Sequence, residues 1–491
     1  MFEPNSASGH SEPISLLSPG VSIAEAEDPN RPKRVMGFRD LVLFYIVTGI
    51  SLRWVASAAA AGPSSIVIWI GAAWLMFYTP LALSVIELSS RYPNEGGIYV
   101  WSKRAFGPFA GFITAWCYWT CNLPYFPAVL YFAASNALYI RHDAWMHLQS
   151  NTTFYILFSL VALAVATWLN LIGLDVGTWL HNIGALAMWI PAVIIVVMGG
   201  IAYYRFGSAT VFSVHTMVPS LQMKDVIFWS VLIYAFAGCE TASLMGDEIK
   251  NARRAIPWAL FLGGIVVAFC YIVGTIGVLL ALPSSEVGNL QGLMQAISAT
   301  AHKIHWESVV PIAAFLITLS NVGAAGAYLA ATARLPFVAG LDRFLPPAFG
   351  ALHPRWKTPW VGLLTQFVFG VVFIFLGQAG TSIKGAYDVL VSMGVITYFI
   401  PFLYLFAAMW KLQSEPAGTD VIRVPGGRPV ARLVAAVGLC TTTFTIGLSL
   451  IPQADEPDKP LAVLKIVGLS ALLVLIGVWI YVAGKRRAAR P

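Results

Sequence analysis

Long apolar runs constrain the fold of this chain more than any other feature of its sequence. Between residues 37 and 484, about a dozen stretches stay apolar over roughly 20 residues, the length that an α-helix needs to cross a bilayer. Only 11% of the 491 residues are charged, against about 25% in soluble domains. Because lipid satisfies no backbone hydrogen bonds, runs of this length fold as helices. The sequence therefore predicts an all-α integral membrane protein with about 12 transmembrane helices.

The sequence outside the apolar runs predicts short tails and no second domain. Residues 1–36 are polar and carry no apolar core behind a basic start. We therefore expect a disordered cytosolic tail there and not a cleaved signal peptide. Residues 486–491 are expected to form a cytosolic C-terminal tail. The remaining polar segments are too scattered to form a second folded domain of ordinary size.

The distribution of basic residues predicts how the chain crosses the membrane. A net charge of +7 could suggest a nucleic-acid partner. If the first helix starts inside, however, about 22 of the 30 Lys and Arg residues fall on cytoplasmic segments and about 7 outside. This asymmetry predicts a multi-pass protein of the plasma (inner) membrane, with both termini in the cytoplasm and no nucleic-acid partner.

No sequence motif indicates an enzyme, a cofactor or a metal site. The chain has no Gly-x-x-x-x-Gly-Lys-Ser/Thr nucleotide loop and no His-Glu-x-x-His zinc motif. All five cysteines lie in predicted spans, so we expect free thiols and no disulfide framework. Cys117 and Cys121 share a helix face, where packing is a far commoner role than metal binding for a lone pair of thiols.

Helix 6, which starts near residue 226, is the most informative apolar run because it is interrupted in mid-membrane. Ala237 and Gly238 interrupt it, and Glu240 follows. A charged residue at mid-bilayer costs roughly 2.5–3.5 kcal/mol, so we expect Glu240 to face a wet or polar cavity rather than lipid. Secondary transporters build their midplane binding sites from broken helices of this kind. The alternative is a glycine kink, with the glutamate hydrogen-bonded inside the helix bundle.

Helix 1, predicted over residues 37–61, carries a second interruption at residues 48–53. It falls about a dozen residues into its helix, as in helix 6, and matching breaks in two halves of a hydrophobic chain indicate an inverted repeat with a shared binding site. We therefore predict a 5+5 inverted repeat with helices 1 and 6 broken, plus two extra helices. The predicted boundaries are 37–204 for helices 1–5, 226–411 for helices 6–10 and 431–485 for helices 11–12.

Polar residues at mid-depth in three other helices are candidates to line the same site. They are Asn122 and Tyr125 in helix 3, Asn321 in helix 8 and Tyr398 in helix 10. An amide or a phenol there can contact a substrate, although packing and hydrogen bonding between helices are equally ordinary uses. Glu87, near the cytosolic end of helix 2, is more simply explained by a structural ion pair.

Three separated stretches resemble the amino acid–polyamine–organocation transporter family. They are RYPNEGGIYVWSKRAFGPFAGF at residues 91–112, FAGCETASLMGDEIKNARRAIPWA at residues 236–259 and ARLPFVAGLDRFLPPAFGALHPRWKTP at residues 333–359. The resemblance covers nearly the full chain after the N-terminal tail. It implies the five-plus-five fold of sodium-coupled amino acid transporters, with the substrate held between helices 1, 3, 6, 8 and 10.

The resemblance also implies roles for residues at the helix 6 break. Glu240 matches a glutamate that is a suspected proton or pH responder in relatives. Tyr234 matches an aromatic residue that closes over the substrate in arginine–agmatine exchangers. With Ala237 and Gly238, these residues form the helix 6 part of the predicted substrate site, and Glu240 is also the predicted proton-coupling residue.

At the helix 1 break the chain departs from the usual family pattern. Relatives usually read Gly-Ser-Gly there and offer bare amides to a substrate carboxylate. The corresponding positions here are Arg53, Trp54 and Val55, which is a clear departure from that pattern. The departure resembles the Ser-Leu-Arg seen at this place in the glutamate–GABA exchanger branch. We expect Gly49, Ile50, Ser51 and Arg53 to contribute to the substrate site.

The sequence leaves three roles open for Arg53. Its guanidinium stays charged and forks onto carboxylates, so it could hold a substrate carboxylate or neutralise Glu240. It could instead extend toward the outer interface, because it lies about two-thirds along helix 1.

The function that these features predict is secondary active transport of an amino acid or related amine by alternating access, with exchange as the leading mode. Met188 stands where proton-coupled relatives often carry a lysine, which disfavours lysine-based proton symport. Proton symport through Glu240 and sodium coupling through helix 1 carbonyls and Ser320 remain alternatives. A sensor that keeps the fold without transporting is the alternative from a different functional class.

Overall fold

The computed structural model describes residues 37–92, 97–172, 174–241, 252–341, 345–416, 418, 421–454 and 456–488. Within these ranges the regular secondary structure is helical, with no strand. The N-terminal tail, residues 93–96, 242–251 and 342–344 lie outside the described residues, and the last three ranges belong to the family-like stretches. Within Arg34–Pro491 the described helices pack as one compact unit. The predicted all-α class is confirmed.

Nine helices in the described residues are long and apolar enough to cross a membrane. They are helix 2 (Ser64–Arg91), helix 4 (Thr152–Ile172), helix 5 (Leu174–Phe206), helix 7 (Ala252–Ala281), helix 8 (Val309–Leu341), helix 9 (Trp360–Gln378), helix 10 (Ile383–Leu412), helix 11 (Gly427–Ser449) and helix 12 (Lys459–Ala488). Shorter helices at Gly97–Phe106 and Gly292–Ile304 lie before helices 3 and 8.

The other three predicted spans, helices 1, 3 and 6, are the interrupted ones. Helix 1 runs as Phe38–Gly49 and Leu52–Ala60, helix 3 as Pro108–Thr120 and Asn122–Ala137, and helix 6 begins as Met223–Tyr234. After Tyr234 the chain turns as far as Thr241, the last described residue of this segment. Nine long helices and three interrupted ones agree with the predicted total of about 12, while the 5+5 repeat stays a prediction.

Helix 7 packs along helix 1, and helix 3 packs against helices 8 and 10. Helix 7 contacts both halves of helix 1 and crosses helix 5 at close range. At that crossing, a Cβ added to Gly199 would lie 2.5 Å from the carbonyl oxygen of Gly277, so a larger residue would force the two helices apart. Close approach at small residues is a common way to pack helices in membranes. Helix 7 thus joins both halves of helix 1 to helix 5.

Candidate functional site

The breaks in helices 1 and 6 open onto one cavity of about 80 Å³. A single water needs about 10–15 Å³ of such space, so the cavity has room for a small solute. Ten of the twelve predicted site residues line it, namely Gly49, Ile50, Ser51, Arg53, Asn122, Tyr125, Tyr234, Ala237, Asn321 and Tyr398. Packing therefore brings helices 1, 3, 6, 8 and 10 together at the cavity.

The helix 1 break consists of Ile50 and Ser51. Ser51 is extended, with φ −137° and ψ 118°, and the second half of the helix begins at the next residue. Gly49 ends the first half at a tight contact, because a Cβ there would lie 3.0 Å from Val267 of helix 7. The break places Arg53 in the first turn of the second half, at the edge of the cavity.

The Arg53 side chain is buried at the cavity, with 3% of its surface exposed. Its guanidinium carbon lies 3.9 Å from the ring centre of Trp54 and 4.9 Å from that of Tyr125, which are favourable cation–π distances. Its Nε and Nη1 atoms have no hydrogen-bond acceptor in the described structure. Arg53 therefore does not extend to the outer interface, and no described carboxylate neutralises it.

Helices 3 and 8 each present an amide oxygen to the same cavity. The Nδ2 atom of Asn122 donates to the Tyr118 and Trp119 carbonyls at 3.1 and 3.3 Å. The Nδ2 atom of Asn321 donates to the Ile317 carbonyl at 2.7 Å. Since backbone carbonyls occupy both amide nitrogens, the Oδ1 atoms are the groups that remain to accept a hydrogen bond from a ligand.

The helix 6 break is shaped by glycine and by aromatic packing. Gly238 has a φ of +116°, a conformation that side chains with a Cβ rarely adopt. Tyr234, the last helical residue before the break, meets Trp54 and Tyr398 edge-on at ring separations of 5.4 and 5.6 Å. These rings connect the break to helices 1 and 10, so its position depends on both.

Glu240 is buried behind the cavity and is not part of its lining, which differs from the expectation that it faces a cavity. Its Oε1 atom accepts hydrogen bonds from Tyr398 at 2.6 Å and from Tyr118 at 2.8 Å. Its Oε2 atom accepts the Gly238 backbone amide at 3.1 Å. Gly238 does not line the cavity either. Tyr398 does, so one hydrogen bond joins a residue of the cavity lining to the carboxylate of Glu240.

Comparison with known proteins identifies the family. The sequence model described as "Amino acid permease" matches residues 36–477, which is most of the chain. The chain belongs to the amino acid permease family. This result confirms the resemblance to amino acid–polyamine–organocation transporters. The permease is therefore a multi-pass membrane transporter for small molecules and not an enzyme.

Three relatives show the range of the family around this permease. An uncharacterized transporter of Legionella pneumophila is 27% identical over 92% of this chain and 97% of its own. A "probable agmatine/putrescine antiporter" of Lactococcus lactis is 22% identical over 86% of this chain and 89% of its own. A serine/threonine exchanger of Bacillus subtilis is 22% identical over 90% of this chain and 94% of its own.

Sequence reasoning missed two tyrosines of the permease site that the helical period could have revealed. Tyr118 lies four residues before Asn122 and therefore on the same helix face. Tyr328 lies two turns after Asn321, lines the cavity and packs against Tyr125 with ring centres 4.9 Å apart. Within the described residues, no group of three His, Cys, Asp or Glu side chains is close enough together to hold a metal ion.

Proposed function

We propose that this permease exchanges amino acids across the plasma (inner) membrane by alternating access, with both of its termini in the cytoplasm. The substrate site in this proposal is the cavity between the breaks of helices 1 and 6. Residues 37–204 and 226–411 are the two inverted repeats, and residues 431–485 are the appended helices. Two breaks that face one cavity are the geometry on which such a repeat depends.

One observation carries the proposal: the cavity offers a cation on helix 1 and neutral oxygen acceptors on helices 3 and 8. The guanidinium of Arg53 is charged, and its Nε and Nη1 atoms have no acceptor among the described residues, so it suits a carboxylate, which forms charge-assisted hydrogen bonds with such donors. The Oδ1 atoms of Asn122 and Asn321 suit an ammonium group. A zwitterionic amino acid carries both groups on one carbon and thus fits both sets.

The charge of the cavity favours an amino acid over a diamine. Its described lining contains the guanidinium of Arg53 and no carboxylate. A second buried cation would be repelled by that charge, whereas a carboxylate would be attracted. Although one relative is named for agmatine and putrescine, the serine/threonine exchanger of Bacillus subtilis is named for zwitterions that match this cavity.

Exchange is favoured over lysine-based proton symport. Met188, which lines the cavity, stands where proton-coupled relatives often carry a lysine. Two of the relatives are named as an antiporter and an exchanger. Proton symport through Glu240 is the second candidate, because Tyr398 links the cavity to that carboxylate by one hydrogen bond.

Counterflow in proteoliposomes tests the proposal. Liposomes preloaded with unlabelled L-amino acids should take up labelled L-amino acid faster than empty ones. Matched pairs that differ only in the carboxylate, such as L-arginine with agmatine and L-serine with ethanolamine, test the substrate class. We expect counterflow of the amino acids and little counterflow of the corresponding decarboxylated amines.

Three other outcomes would contradict this function. Uptake into empty vesicles driven by an inward proton gradient would favour symport. Equal counterflow of acids and decarboxylated amines would remove the role of Arg53 as a carboxylate site. Binding without flux in any gradient would favour a sensor.

A further inference from the structure

Tyr271 of helix 7 touches both helix breaks through one buried hydroxyl. Its Oη atom donates to the Gly49 carbonyl at 2.6 Å and accepts the Ser51 backbone amide at 3.1 Å. The Ala235 carbonyl lies 3.3 Å from the same oxygen. Gly49 directly precedes the helix 1 break, Ser51 is its second residue, and Ala235 follows Tyr234, where the first helical part of helix 6 ends. One side chain thus meets two breaks that lie nearly 200 residues apart in sequence.

These three backbone groups need a partner because the helices are broken. Carbonyls at the end of a helix and amides at its start lack the partner four residues along that a continuous helix supplies. A buried backbone group without a hydrogen bond is strongly destabilising. Tyr271 has no exposed surface, so its hydroxyl meets this requirement at a place with no access to bulk solvent.

The Tyr271 ring is held in place independently of the cavity. It stacks on Trp69 of helix 2 with ring centres 4.7 Å apart and 13° between planes. Phe236, just beyond the helix 6 break, meets its edge at 5.5 Å. Thr275, one turn later, accepts a hydrogen bond from Trp69 Nε1 at 3.2 Å. Tyr271 is absent from the cavity lining, so its role is to position the breaks rather than to contact a ligand.

We propose that Tyr271 couples the two breaks, so that helix 1 and helix 6 change geometry together. A phenol carries one proton, and two carbonyls, one from each break, lie within its reach. A displacement of either break therefore changes the hydrogen bonding of the other. Tyr271 is a positioning residue for transport that acts from outside the substrate cavity.

Hydrogen–deuterium exchange of the purified full-length protein tests this coupling without any substrate. Tyr271→Phe removes the hydroxyl and keeps the ring. We expect faster amide exchange at residues 49–53 and also at residues 233–240, with helices 9 and 11 unchanged. Thr275→Val is the matched control, because it removes a buried hydroxyl one turn away that bonds Trp69 and the Tyr271 backbone carbonyl but neither break.

Transport kinetics give a second readout that a merely structural tyrosine would not move in the same way. In counterflow with labelled L-serine, Tyr271→Phe should lower kcat at least tenfold while KM stays within threefold, because the cavity lining is intact. Thr275→Val should stay within twofold of wild type in both constants. If the protein does not transport L-serine, the hydrogen–deuterium exchange measurement still tests the coupling. Failure of the proposed function and failure of this inference, which rests on it only for the transport readout, are therefore distinguishable.

Three results would overturn the inference. Faster exchange at residues 49–53 with wild-type protection at residues 233–240 would show that Tyr271 serves helix 1 alone. Faster amide exchange at both segments in Thr275→Val as well would show that any loss of a hydroxyl from helix 7 loosens that helix in general. If Tyr271→Phe does not fold, wild-type exchange over a temperature series replaces it, and different opening temperatures for the two segments would contradict coupling.

Discussion

Two buried arginines, Arg91 at the end of helix 2 and Arg53 at the helix 1 break, are treated differently by the same protein. The Arg91 Nη2 atom lies 2.7 Å from Glu87 Oε1, and both side chains are almost fully buried. Gln413 and the Val424 amide complete the hydrogen bonds of Glu87 at 2.7 and 2.9 Å. Arg53 is equally buried, yet two of its nitrogens have no acceptor among the described residues.

The difference separates a structural arginine from one that is suited to a ligand. Burying a charge is costly unless it is paired and hydrogen-bonded. The protein supplies the compensation for Arg91 itself, by joining helix 2 to the segment between helices 10 and 11. For Arg53 the described structure supplies aromatic faces and an adjoining cavity, and our proposal assigns the missing partner to a bound carboxylate.

The largest expected effect is on stability at the paired site. Glu87→Ala leaves Arg91 buried without its acid, a change that typically costs about 3–5 kcal/mol. Thermal unfolding of the purified protein in detergent would show it as a large fall in Tm. The double variant Glu87→Ala with Arg91→Ala removes both charges and should be no less stable than the single one. Additive losses would mean that the two residues act separately.

The next effect is on substrate affinity at the unpaired site. Arg53→Ala should raise KM for amino acids by roughly 10- to 100-fold, since a hydrogen bond to a charged group contributes about 1.5–3 kcal/mol. Tm should change far less than in Glu87→Ala. Arg53→Lys keeps the positive charge but loses the forked guanidinium, so its KM should lie between the KM values of wild type and Arg53→Ala. If Arg53→Ala raised KM by the same factor for decarboxylated amines, Arg53 would have a structural role and not a carboxylate-binding one.

A smaller effect is expected at the second buried glutamate. The Glu240 carboxylate accepts three described hydrogen bonds, and an amide at this position cannot accept all of them. Glu240→Gln should flatten the pH dependence of uptake more than it lowers Tm. Glu87→Gln is the matched control, because it changes a buried glutamate far from the cavity and should leave the pH profile unchanged. The same profile in wild type and Glu240→Gln would refute the proton-coupling role.

The smallest effect is expected at Glu415, which forms a partly exposed ion pair with Arg104. Hydrogen bonds from Tyr92 and Arg104 lower the pKa of Glu415 below its ordinary value. A lowered pKa means that the carboxylate stabilises the fold above the ordinary value of about 4.5 and that this contribution is lost as the pH falls through the lowered value. Glu415→Gln should cost less than about 1 kcal/mol at pH 7, because the pair is partly exposed. The difference in Tm from wild type should vanish in acid, and a constant difference would exclude titration of Glu415.

Local sequence patterns predicted the helices and the breaks well. Apolar length identified the spans, and the glycine-bearing interruptions located both breaks to within a few residues. Glu87 and Arg91 lie four residues apart on one helix, so their ion pair follows from helical spacing. Ten predicted site residues meet at one cavity because they lie at similar depths in their helices. That they bind substrate remains a prediction.

The sequence alone predicted that the chain crosses the membrane repeatedly and that two of its helices are interrupted in mid-span, with an arginine and a glutamate close to the interruptions. The packing of the helices was needed to show that Arg53 lines the cavity with no described carboxylate beside it, that Tyr398 joins the cavity lining to Glu240, and that Tyr271 contacts both breaks. The physical reason is that helical periodicity is local, whereas these contacts join residues far apart in the chain. Their geometry depends on how helices cross, which no short stretch of sequence encodes.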